Sequence, residues 1–515
     1  MDSHALATDS DVCYLALKAR DARFDGCFFT GVSSTGIYCR PVCRVRTPKR
    51  ENCRFFQLAA QAEQAGFRPC LRCRPELAPR QFLPGAAVAP AWSMQDASSI
   101  LALQAAARMD APPASDAQPL TIRRVADQLG ISDRHLRRIF EAQFGVSPLQ
   151  YLQTRRLLNA KQLLTDTLLP INRVAEMSGF TSVRAFNAAF DQHYGLNPTQ
   201  LRRSGRPDSV TAKGGGIQLR LAYRPPYDGL AMLRFLAQRQ ICGLEVITPE
   251  HGSLAKTMAL RHGAALITGW VQARFDEARC QVALQVSESL SEVLPEVITR
   301  VRALLDLDAD PQAINHALHA DFPDSDGLRV PGTLDGFELA VRAVLGQQIT
   351  VAAARTLAGR LVARFGDPIE TPVAGLNRLF PGAATLAAAS GDGLGSLGIV
   401  KTRQAAILAL ASAVAEGQLC LQAGADLSTT LRQLQALPGI GDWTAQYIAM
   451  RALRWPDAFP AGDVALHKAL GVMGQLRPAQ AALAASHPWQ PWRAYAVVRA
   501  WARLAGGANP HWKPE

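Results

Sequence analysis

Four cysteines near the N-terminus have the side-chain type and spacing of a metal site. Cys39, Cys43, Cys70 and Cys73 form two short-spaced pairs separated by 26 residues, a pattern typical of a structural zinc ion bound by four thiolates. Arginines and aromatic residues surround both pairs, which favours contact with a polyanion. The spacing alone leaves two interpretations open: a zinc staple for a module too small to bury a core, or a zinc site that acts on the polyanion.

A second group lies near the C-terminus, in the segment Pro-Gly-Ile-Gly-Asp. Gly439 and Gly441 stand in a turn between a helix that ends near Leu437 and a helix that begins at Asp442. Glycines let backbone N–H groups approach a phosphate at a helix N-terminus, where the dipole favours anions; an ordinary helix connector is the alternative. Asp463 follows 22 residues after Gly441, where a Gly-Asp step before an apolar helix also fits a simple N-cap.

Composition limits the classes of protein that can carry these groups. The 515 residues are 48% hydrophobic and predict roughly three to five globular domains. No apolar run reaches the ~18 residues needed to span a bilayer, and the N-terminal residues lack the pattern of an export signal. The six other cysteines are scattered singly, which favours a reducing compartment. We therefore expect a cytoplasmic protein with no membrane partner.

Positive charge is concentrated in the first part of the chain. Residues 1–206 contain 27 Lys and Arg against 17 Asp and Glu, whereas residues 207–515 contain 28 against 26. The first part therefore has the electrostatic footprint of a nucleic-acid-binding protein. Any nucleic-acid contact made by the second part must depend on local geometry, such as helix N-termini, more than on bulk charge.

Periodicity and composition divide the chain into segments. The patterns predict a multidomain protein, mainly α with α+β parts. The predicted segments are a small four-cysteine zinc domain at 1–80, a Pro/Ala-rich linker whose middle is compatible with a helix at 81–119, an all-helical DNA-binding domain at 120–206, a flexible linker at 207–216, a mixed α+β subdomain at 217–305 and an all-α domain at 306–515.

The all-helical segment contains two similar units, at residues 121–140 and 171–190. Each has a short helix, a Gly-containing turn, a Ser N-cap (Ser132 or Ser182) and a second helix, the pattern of a helix-turn-helix. A Phe/Tyr-Gly-x-x-Pro ending follows each unit, and the pair resembles the AraC/XylS-type DNA-binding domain over residues 120–203. The resemblance implies promoter DNA and RNA polymerase as partners; a non-binding helical bundle is the alternative. The second helices are predicted to expose Asp133, Arg134, Arg137, Arg138, Ser182, Val183, Arg184 and Asn187.

The cysteine module can then be compared more closely. Its segments 28–44 and 65–73 resemble the zinc domain of the Ada adaptive-response family, over residues 11–77 and with all four cysteines in ligand positions. The resemblance implies one Zn²⁺ and a stoichiometric methyltransferase activity, in which Cys39 accepts a methyl group from a methylphosphotriester in DNA. No Pro-Cys-His-Arg motif follows residue 206, so repair of O6-alkylguanine is not implied.

Zinc chemistry supports this methyl transfer independently of the resemblance. Zinc keeps the sulfurs as thiolates, which are the nucleophilic form of cysteine. Zn²⁺ with four thiolates has a formal charge of −2, and methylation of one sulfur reduces it to −1, so the repulsion of DNA phosphates weakens. A repair event would thereby become a transcriptional signal, with zinc both structural and nucleophile-activating.

The C-terminal turn and Asp463 together resemble the helix–hairpin–helix glycosylase superfamily, and in particular the 3-methyladenine DNA glycosylase II (AlkA) family, over residues 217–505. Further matching segments are 223–228, 235–237, 329–332, 337–338, 341–347 and 491–496. The resemblance implies that Asp463 is the catalytic carboxylate and that Trp443, Tyr447 and Trp501 hold the extruded base; core packing is the alternative for each ring. The carboxylate would stabilise oxocarbenium character on the sugar and orient water, and aromatic faces attract a cationic alkylated base.

Two absences and one departure refine this expectation. Lyase-type relatives have a lysine where this chain has Trp443, so we expect a monofunctional enzyme. No cysteine follows Cys420, so we expect no iron–sulfur cluster there and no redox cofactor. The residue that fills the gap left by the extruded base is apolar in the family prototype. Here Gln348 occupies that position and Ile349 follows it, and either residue fits the role.

The segments combine into one hypothesis. The protein would be an alkylation-sensing transcription activator joined to a base-excision repair enzyme, bound to double-stranded DNA in a bacterial nucleoid. One alternative is a transcription regulator that uses a catalytically weak glycosylase fold only to bind lesions. Another is a repair enzyme whose front domains merely tether it to DNA.

Overall fold

The computed structural model describes residues 10–79, 94–110, 120–167, 169–204, 216–263, 265–423 and 425–505. Within these residues, no helix is both long and apolar enough to cross a membrane. The predicted linker at 207–216 lies outside the described residues except for Gly216, and so do the two flanks of the Pro/Ala-rich segment, 81–93 and 111–119.

The N-terminal module is built on a small mixed sheet. Its elements are α1 (Ser10–Ala19), β1 (Phe29–Val32), β2 (Ile37–Cys39), β3 (Cys53–Phe56), α2 (Ala59–Gln64) and β4 (Arg68–Pro69). The strand order is β3-β1-β2-β4, with β2 and β4 parallel and the other pairs antiparallel. Phe29, Tyr38 and Phe67 form its main apolar cluster with Ala62. Such a small core depends on additional cross-links, and the cysteines lie at the ends of β2 and β4.

The helical domain that follows contains two helix-turn-helix units. Its elements are α3 (Met94–Asp110), α4 (Ile122–Gln128), α5 (Asp133–Phe144), α6 (Pro148–Asp166), α7 (Ile171–Met177), α8 (Val183–Tyr194) and α9 (Pro198–Ser204). Ser132 and Ser182 cap α5 and α8 by accepting a hydrogen bond from the N–H three residues on, as the sequence predicts. Both helices end at a glycine in the left-handed region, Gly145 at φ +65° and Gly195 at φ +62°, because a residue with a Cβ adopts this cap only with strain.

Helix α3 occupies the middle of the Pro/Ala-rich segment. Its side chains Ala102, Leu103 and Ala106 are buried in one cluster with Leu136 and Phe140 of α5. The helix lies where the sequence allows one, in the middle of the segment, and it supplies part of the core of the first helix-turn-helix unit.

The third domain is an antiparallel sheet with two helices. Its elements are β5 (Ile217–Ala222), α10 (Gly229–Ala237), β6 (Glu245–Thr248), β7 (Ser253–His262), β8 (Ala265–Asp276), β9 (Gln281–Val286) and α11 (Leu294–Leu304). The strand order is β5-β9-β8-β7-β6. Leu219, Val271 and Leu284 of the sheet belong to the same buried cluster as Phe186 and Phe190 of α8. The second helix-turn-helix unit and the sheet therefore share one core.

The remaining residues form an all-α domain. Its helices are α12 (Pro311–Leu318), α13 (Gly336–Leu345), α14 (Val351–Phe365), α15 (Ala383–Ala387), α16 (Gly391–Gly395), α17 (Lys401–Ala415), α18 (Leu427–Ala436), α19 (Asp442–Arg451), α20 (Val464–Ala469), α21 (Pro478–Ala485) and α22 (Arg493–Ala505). One buried cluster joins α13, α17 and α19, and a second joins α12, α20 and α22. Tyr447 packs against both clusters, so it lies where the two halves of the domain meet.

Buried charges attach the sheet to the all-α domain. Lys256 Nζ lies 2.5 Å from Glu245 and 2.6 Å from Glu338, and Arg342 lies 2.9 Å and 2.8 Å from the same two carboxylates. Burial raises the pKa of Glu245, but the adjacent Arg342 and Lys256 outweigh it and lower the pKa to about 2. Two cations and two anions thus balance, and the network fixes the start of α13 against β6 and β7.

The N-terminal module is docked on both helix-turn-helix units. Gln61 Nε2 donates to the carbonyl of Phe144 at 3.0 Å, and Arg68 donates to the carbonyl of Tyr194 at 3.2 Å. Phe144 and Tyr194 are the last residues of α5 and α8. The module therefore satisfies an unpaired carbonyl at the equivalent end of each second helix.

Helix α6 lies between these two contacts and carries buried polar groups toward the module. Thr154 donates to Glu63 at 2.7 Å. The fully buried Lys161 donates to Glu76 at 2.5 Å and to the carbonyl of Cys70 at 3.1 Å. One of the four clustered cysteines is thus hydrogen-bonded directly to the helical domain.

Candidate functional site

Asp463 is held by three hydrogen bonds at the start of α20. Its Oδ1 accepts from the N–H of Leu466 at 2.7 Å and from the indole of Trp501 at 3.1 Å. Its Oδ2 accepts from the indole of Trp443 at 2.9 Å. The hydrogen bond from the backbone is the helix N-cap that the sequence allows. The two hydrogen bonds from the indoles are not needed to cap a helix. They fix the plane of a half-buried carboxylate.

The same indoles belong to a cluster of aromatic rings. Trp443 stacks on Tyr447 with centroids 5.3 Å apart and an interplanar angle of 17°. Tyr447 lies 6.3 Å from Trp501, and Trp501 stacks on Phe235 of α10 at 6.4 Å. The structure therefore brings Trp443, Tyr447 and Trp501 together beside Asp463. It adds Phe235, a residue that lies in a segment matched by sequence but was not assigned to the pocket.

Two arginines support the rings. The Arg239 guanidinium lies 3.7 Å from the Phe235 centroid. Arg451 donates to the Tyr447 hydroxyl at 2.5 Å and to the carbonyl of Pro331 at 2.8 Å. Burial raises the pKa of Tyr447, but the charges of Arg451 and Arg239 outweigh it, and the net shift is downward. Sequence reasoning missed Arg451, although its spacing of four residues from Tyr447 places both on one helix face.

The Pro-Gly-Ile-Gly turn joins α18 to α19 as predicted. Gly439 has φ +75°, and a Cβ there would lie 3.1 Å from the Ala406 side chain and 3.4 Å from the carbonyl of Thr402, so only glycine fits without a shift. Both turn glycines are exposed. A Cβ at Gly441 would meet nothing within 4 Å, and no side chain caps the start of α19. The turn thus presents backbone N–H groups at an open helix N-terminus.

The loop between α13 and α14 contains the two candidates for the gap-filling residue. Gln348 is exposed and has φ +55°, in the left-handed region that residues other than glycine enter with strain. Ile349 is half-buried. Of the two side chains, Gln348 is the one presented to solvent.

The four cysteines come together as the sequence predicts. The sulfurs of Cys39, Cys43, Cys70 and Cys73 all lie within 4.8 Å of one another. Sulfurs around a tetrahedral zinc ion with Zn–S bonds of ~2.3 Å are about 3.8 Å apart. The number, type and separation of these donors therefore fit a zinc ion.

The sulfur of Cys73 accepts a backbone hydrogen bond from the N–H of Arg40 at 3.3 Å. Such a bond draws electron density from a thiolate, which makes the Cys73 sulfur a weaker nucleophile.

The arginines around the cysteines divide into two groups. Arg40 is buried, forms an ion pair with Asp25, and donates to the carbonyl of Cys73 at 2.9 Å. Arg44, Arg46 and Arg72 are exposed. Only the second group faces solvent, where a polyanion would lie.

Family models match the chain along most of its length. They are the metal binding domain of Ada at residues 12–76, a helix-turn-helix domain at 125–204, the AlkA N-terminal domain at 218–335 and the HhH-GPD superfamily base excision DNA repair protein at 341–494. A Mycobacterium tuberculosis protein named "Probable bifunctional transcriptional activator/DNA repair enzyme AlkA" is 38% identical over 516 residues, which cover 98% of this chain and 99% of that protein. The chain belongs to this AlkA family of bifunctional activator/repair proteins.

Two other relatives match parts of the AlkA-family chain. The DNA-3-methyladenine glycosylase 2 of Escherichia coli is 34% identical over 281 residues, which are 55% of this chain and 95% of that protein. The regulatory protein ada of Salmonella typhimurium is 33% identical over 210 residues, which are 41% of this chain and 54% of that protein. The zinc-domain, helix-turn-helix and glycosylase folds expected from the sequence are all confirmed.

The aromatic cluster of this AlkA-family chain draws on several matched regions. Phe235 lies in the range of the AlkA N-terminal domain, and Trp443, Tyr447 and Asp463 lie in the HhH-GPD range. Trp501 lies beyond both ranges and reaches Asp463 from α22. The aromatic cluster beside the aspartate is therefore assembled at a junction between domains.

The predicted DNA-reading side chains of the AlkA-family chain lie on the surface of α5 and α8. Arg134, Arg137, Arg184 and Asn187 are all exposed, whereas Asp133 is half-buried. Arg137 forms an ion pair with Asp133 at 3.0 Å, an exposed pair of small energy that a phosphate or a base edge can displace. Both second helices thus present these four side chains to solvent.

Proposed function

We propose that the protein is a monofunctional DNA glycosylase for alkylated purines of the 3-methyladenine type, joined to an alkylation-sensing transcription activator. One observation carries the glycosylase proposal. Asp463 is fixed by the indoles of Trp443 and Trp501, which are also rings of the aromatic pocket. A carboxylate and an aromatic surface that can accept a base therefore lie within one side-chain length of each other.

The chemistry follows from this arrangement. A base extruded from the duplex enters between the rings, where a cationic alkylated purine is attracted by aromatic faces and is already a good leaving group. As the N-glycosidic bond breaks, positive charge develops on the sugar, and the Asp463 carboxylate stabilises it and orients water for attack. Trp443 stands where a lyase would need a lysine, so hydrolysis alone is expected.

Two exposed segments would contact DNA: the Pro-Gly-Ile-Gly turn between α18 and α19, called the hairpin, and the loop between α13 and α14. We propose that N–H groups around Gly439 and Gly441 bind a phosphate next to the lesion. Gln348 would enter the space left by the extruded base, because of the two candidates, Gln348 and Ile349, it is the exposed one. Few cations are needed for such contacts, which agrees with the nearly neutral charge of residues 207–515.

Release of 3-methyladenine from methylated DNA tests the glycosylase proposal. Wild-type protein should release the base, and Asp463→Asn should be slower by on the order of 10²–10³-fold, since it loses the negative charge. Asp426→Asn is the matched control, because Asp426 is also the N-cap aspartate of a helix in this domain but lies outside the pocket. Equal losses in the two variants would mean that Asp463 is only a cap. No release by wild type would favour the regulator-only alternative.

We propose that the cysteine cluster binds one Zn²⁺ and that Cys39 is the methyl acceptor. Bound zinc keeps the sulfurs ionised at neutral pH. The Cys39 sulfur attacks the methyl carbon of a phosphotriester, the carbon–oxygen bond breaks, and the phosphodiester anion leaves, so that Cys39 becomes a thioether. The backbone hydrogen bond to Cys73 disfavours that sulfur as the acceptor, and the choice of Cys39 rests on the match to the metal binding domain of Ada.

The exposed arginines and α5 and α8 would then place the modified protein on promoter DNA. We propose that Arg134, Arg137, Arg184 and Asn187 contact DNA and that the bound protein recruits RNA polymerase. Mass spectrometry after incubation with DNA that contains methylphosphotriesters should find one added methyl group, on Cys39. A methyl group on another cysteine, or none, would refute the acceptor assignment. Cys39→Ala should abolish damage-induced transcription but leave base release intact; unchanged induction would favour the tether alternative.

A further inference from the structure

The loop between α13 and α14 is tied to the hairpin through one side chain. Gln347 Nε2 donates to the carbonyl of Gly439 at 2.8 Å and to the hydroxyl of Thr444 at 3.0 Å. The carbonyl of Gln347 accepts a hydrogen bond from the guanidinium of Arg403 in α17. The residue is therefore anchored on three elements, although it lies in a short connection.

The two hydrogen-bond partners of the Gln347 side chain lie in the hairpin and in the helix that follows it. Gly439 is the hairpin glycine with positive φ, and the buried Thr444 follows Trp443 in α19. Gln348, directly after Gln347, has a strained backbone and an exposed side chain. A strained, exposed residue keeps its conformation only when its neighbours fix it. Gln347 fixes Gln348 from the N-terminal side.

We infer that Gln347 is a positioning residue that holds the duplex-entering loop at a fixed distance from the phosphate-binding hairpin. The inference rests on the proposed glycosylase function. Base extrusion needs two opposed actions on one strand: the hairpin holds a phosphate, and the loop residue occupies the vacated space. If the loop moves relative to the hairpin, Gln348 loses its alignment while the pocket and Asp463 stay intact.

The test compares a paired lesion with an unpaired one. One duplex contains a single 7-methylguanine opposite cytosine, and the other contains it opposite an abasic site, where extrusion no longer breaks a base pair. The variant is Gln347→Met, which keeps the length of the side chain and removes its N–H donors. Gln404→Met is the matched control, because Gln404 also donates from Nε2 to a backbone carbonyl, that of Ile399, in the same domain.

Gln347→Met should slow single-turnover release from the paired duplex by about tenfold and release from the unpaired duplex by no more than about twofold, the expectation for two lost hydrogen bonds that act only on extrusion. Gln404→Met should leave both rates unchanged. Equal slowing on the two duplexes would overturn the inference. Gln347→Glu, which keeps the length but places an acceptor against the Gly439 carbonyl, should reproduce the split if the Met variant is unstable. Absence of release by wild type from either duplex would instead refute the proposed function.

Discussion

Replacement of Trp443 by phenylalanine isolates one hydrogen bond of the pocket. Phenylalanine keeps a ring that can stack on Tyr447, whose centroid lies 5.3 Å away, but it has no N–H to donate to Asp463. Among the described residues, Trp443 is the one that donates to Oδ2, whereas Oδ1 retains the bonds from Leu466 and Trp501. The substitution therefore removes the support of one carboxylate oxygen and keeps an aromatic ring beside Tyr447.

The size of the effect follows from the strength of that bond. A hydrogen bond to an ionised group contributes about 1.5–3 kcal/mol. Asp463 is half-buried, so water partly replaces the lost donor and the lower value, about 1.5 kcal/mol, applies. Since 1.36 kcal/mol corresponds to a factor of ten in rate, Trp443→Phe should release the alkylated base about tenfold more slowly.

Single-turnover release, measured together with DNA affinity and thermal unfolding, tests this expectation. Trp443→Phe should change the rate and leave DNA affinity nearly unchanged. Trp455→Phe is a neutral control, because the buried Trp455 N–H has no partner in the described residues. Trp489→Phe is a stability control, because it loses a 2.7 Å bond to Asp321 outside the pocket. An unchanged rate for Trp443→Phe, or an equal loss in Trp489→Phe, would refute the role of the indole bond.

Three further outcomes are expected. Gly439→Ala should weaken DNA binding by on the order of tenfold, because the hairpin must shift away from Ala406; fluorescence anisotropy would contradict this by showing unchanged affinity. The pKa of Glu245 is about 2, because nearby cations outweigh burial. Its contribution to stability should therefore be lost as pH falls from about 4.5 toward 2. In Glu245→Gln, the free energy of unfolding measured with urea should depend less on pH over that range. Burial raises the pKa of Glu63 to about 7, so folding stability should fall as pH rises from about 4.5 to 7. Glu63→Gln should abolish this fall, and an unaltered pH slope would contradict the assignment.

Groups defined by short-range spacing were predictable from the sequence. The four cysteines, the serine caps of α5 and α8, the hairpin glycines and the position of Asp463 depend on residue types a few positions apart or on a recognisable order of motifs. Ser132 and Ser182 could be assigned because an N-cap needs only its own hydroxyl and the next turn of helix.

Groups defined by distant packing were not predictable. Phe235 reaches the pocket from a helix more than 200 residues before Trp443, and its own neighbours in sequence give no sign of that contact. Gln347 could be identified as a link to the hairpin only after α13 and α19 were placed side by side. The sequence allowed a helix in the middle of the Pro/Ala-rich segment, but the packing of helix α3 into the core of the first helix-turn-helix unit was not predictable.

Helix α6 has a consequence for how this chain tolerates insertions. Thr154 and Lys161, seven residues apart, lie on one stripe of the helix and bond to the N-terminal module. Leu157 and Leu164, also seven apart, lie on a neighbouring stripe inside the core shared with the sheet. One residue added between Thr154 and Leu157 would turn the rest of the helix by about 100° and separate contacts that now act together. The positions of these two stripes around the axis of α6 thus set how the N-terminal module is oriented relative to the sheet domain.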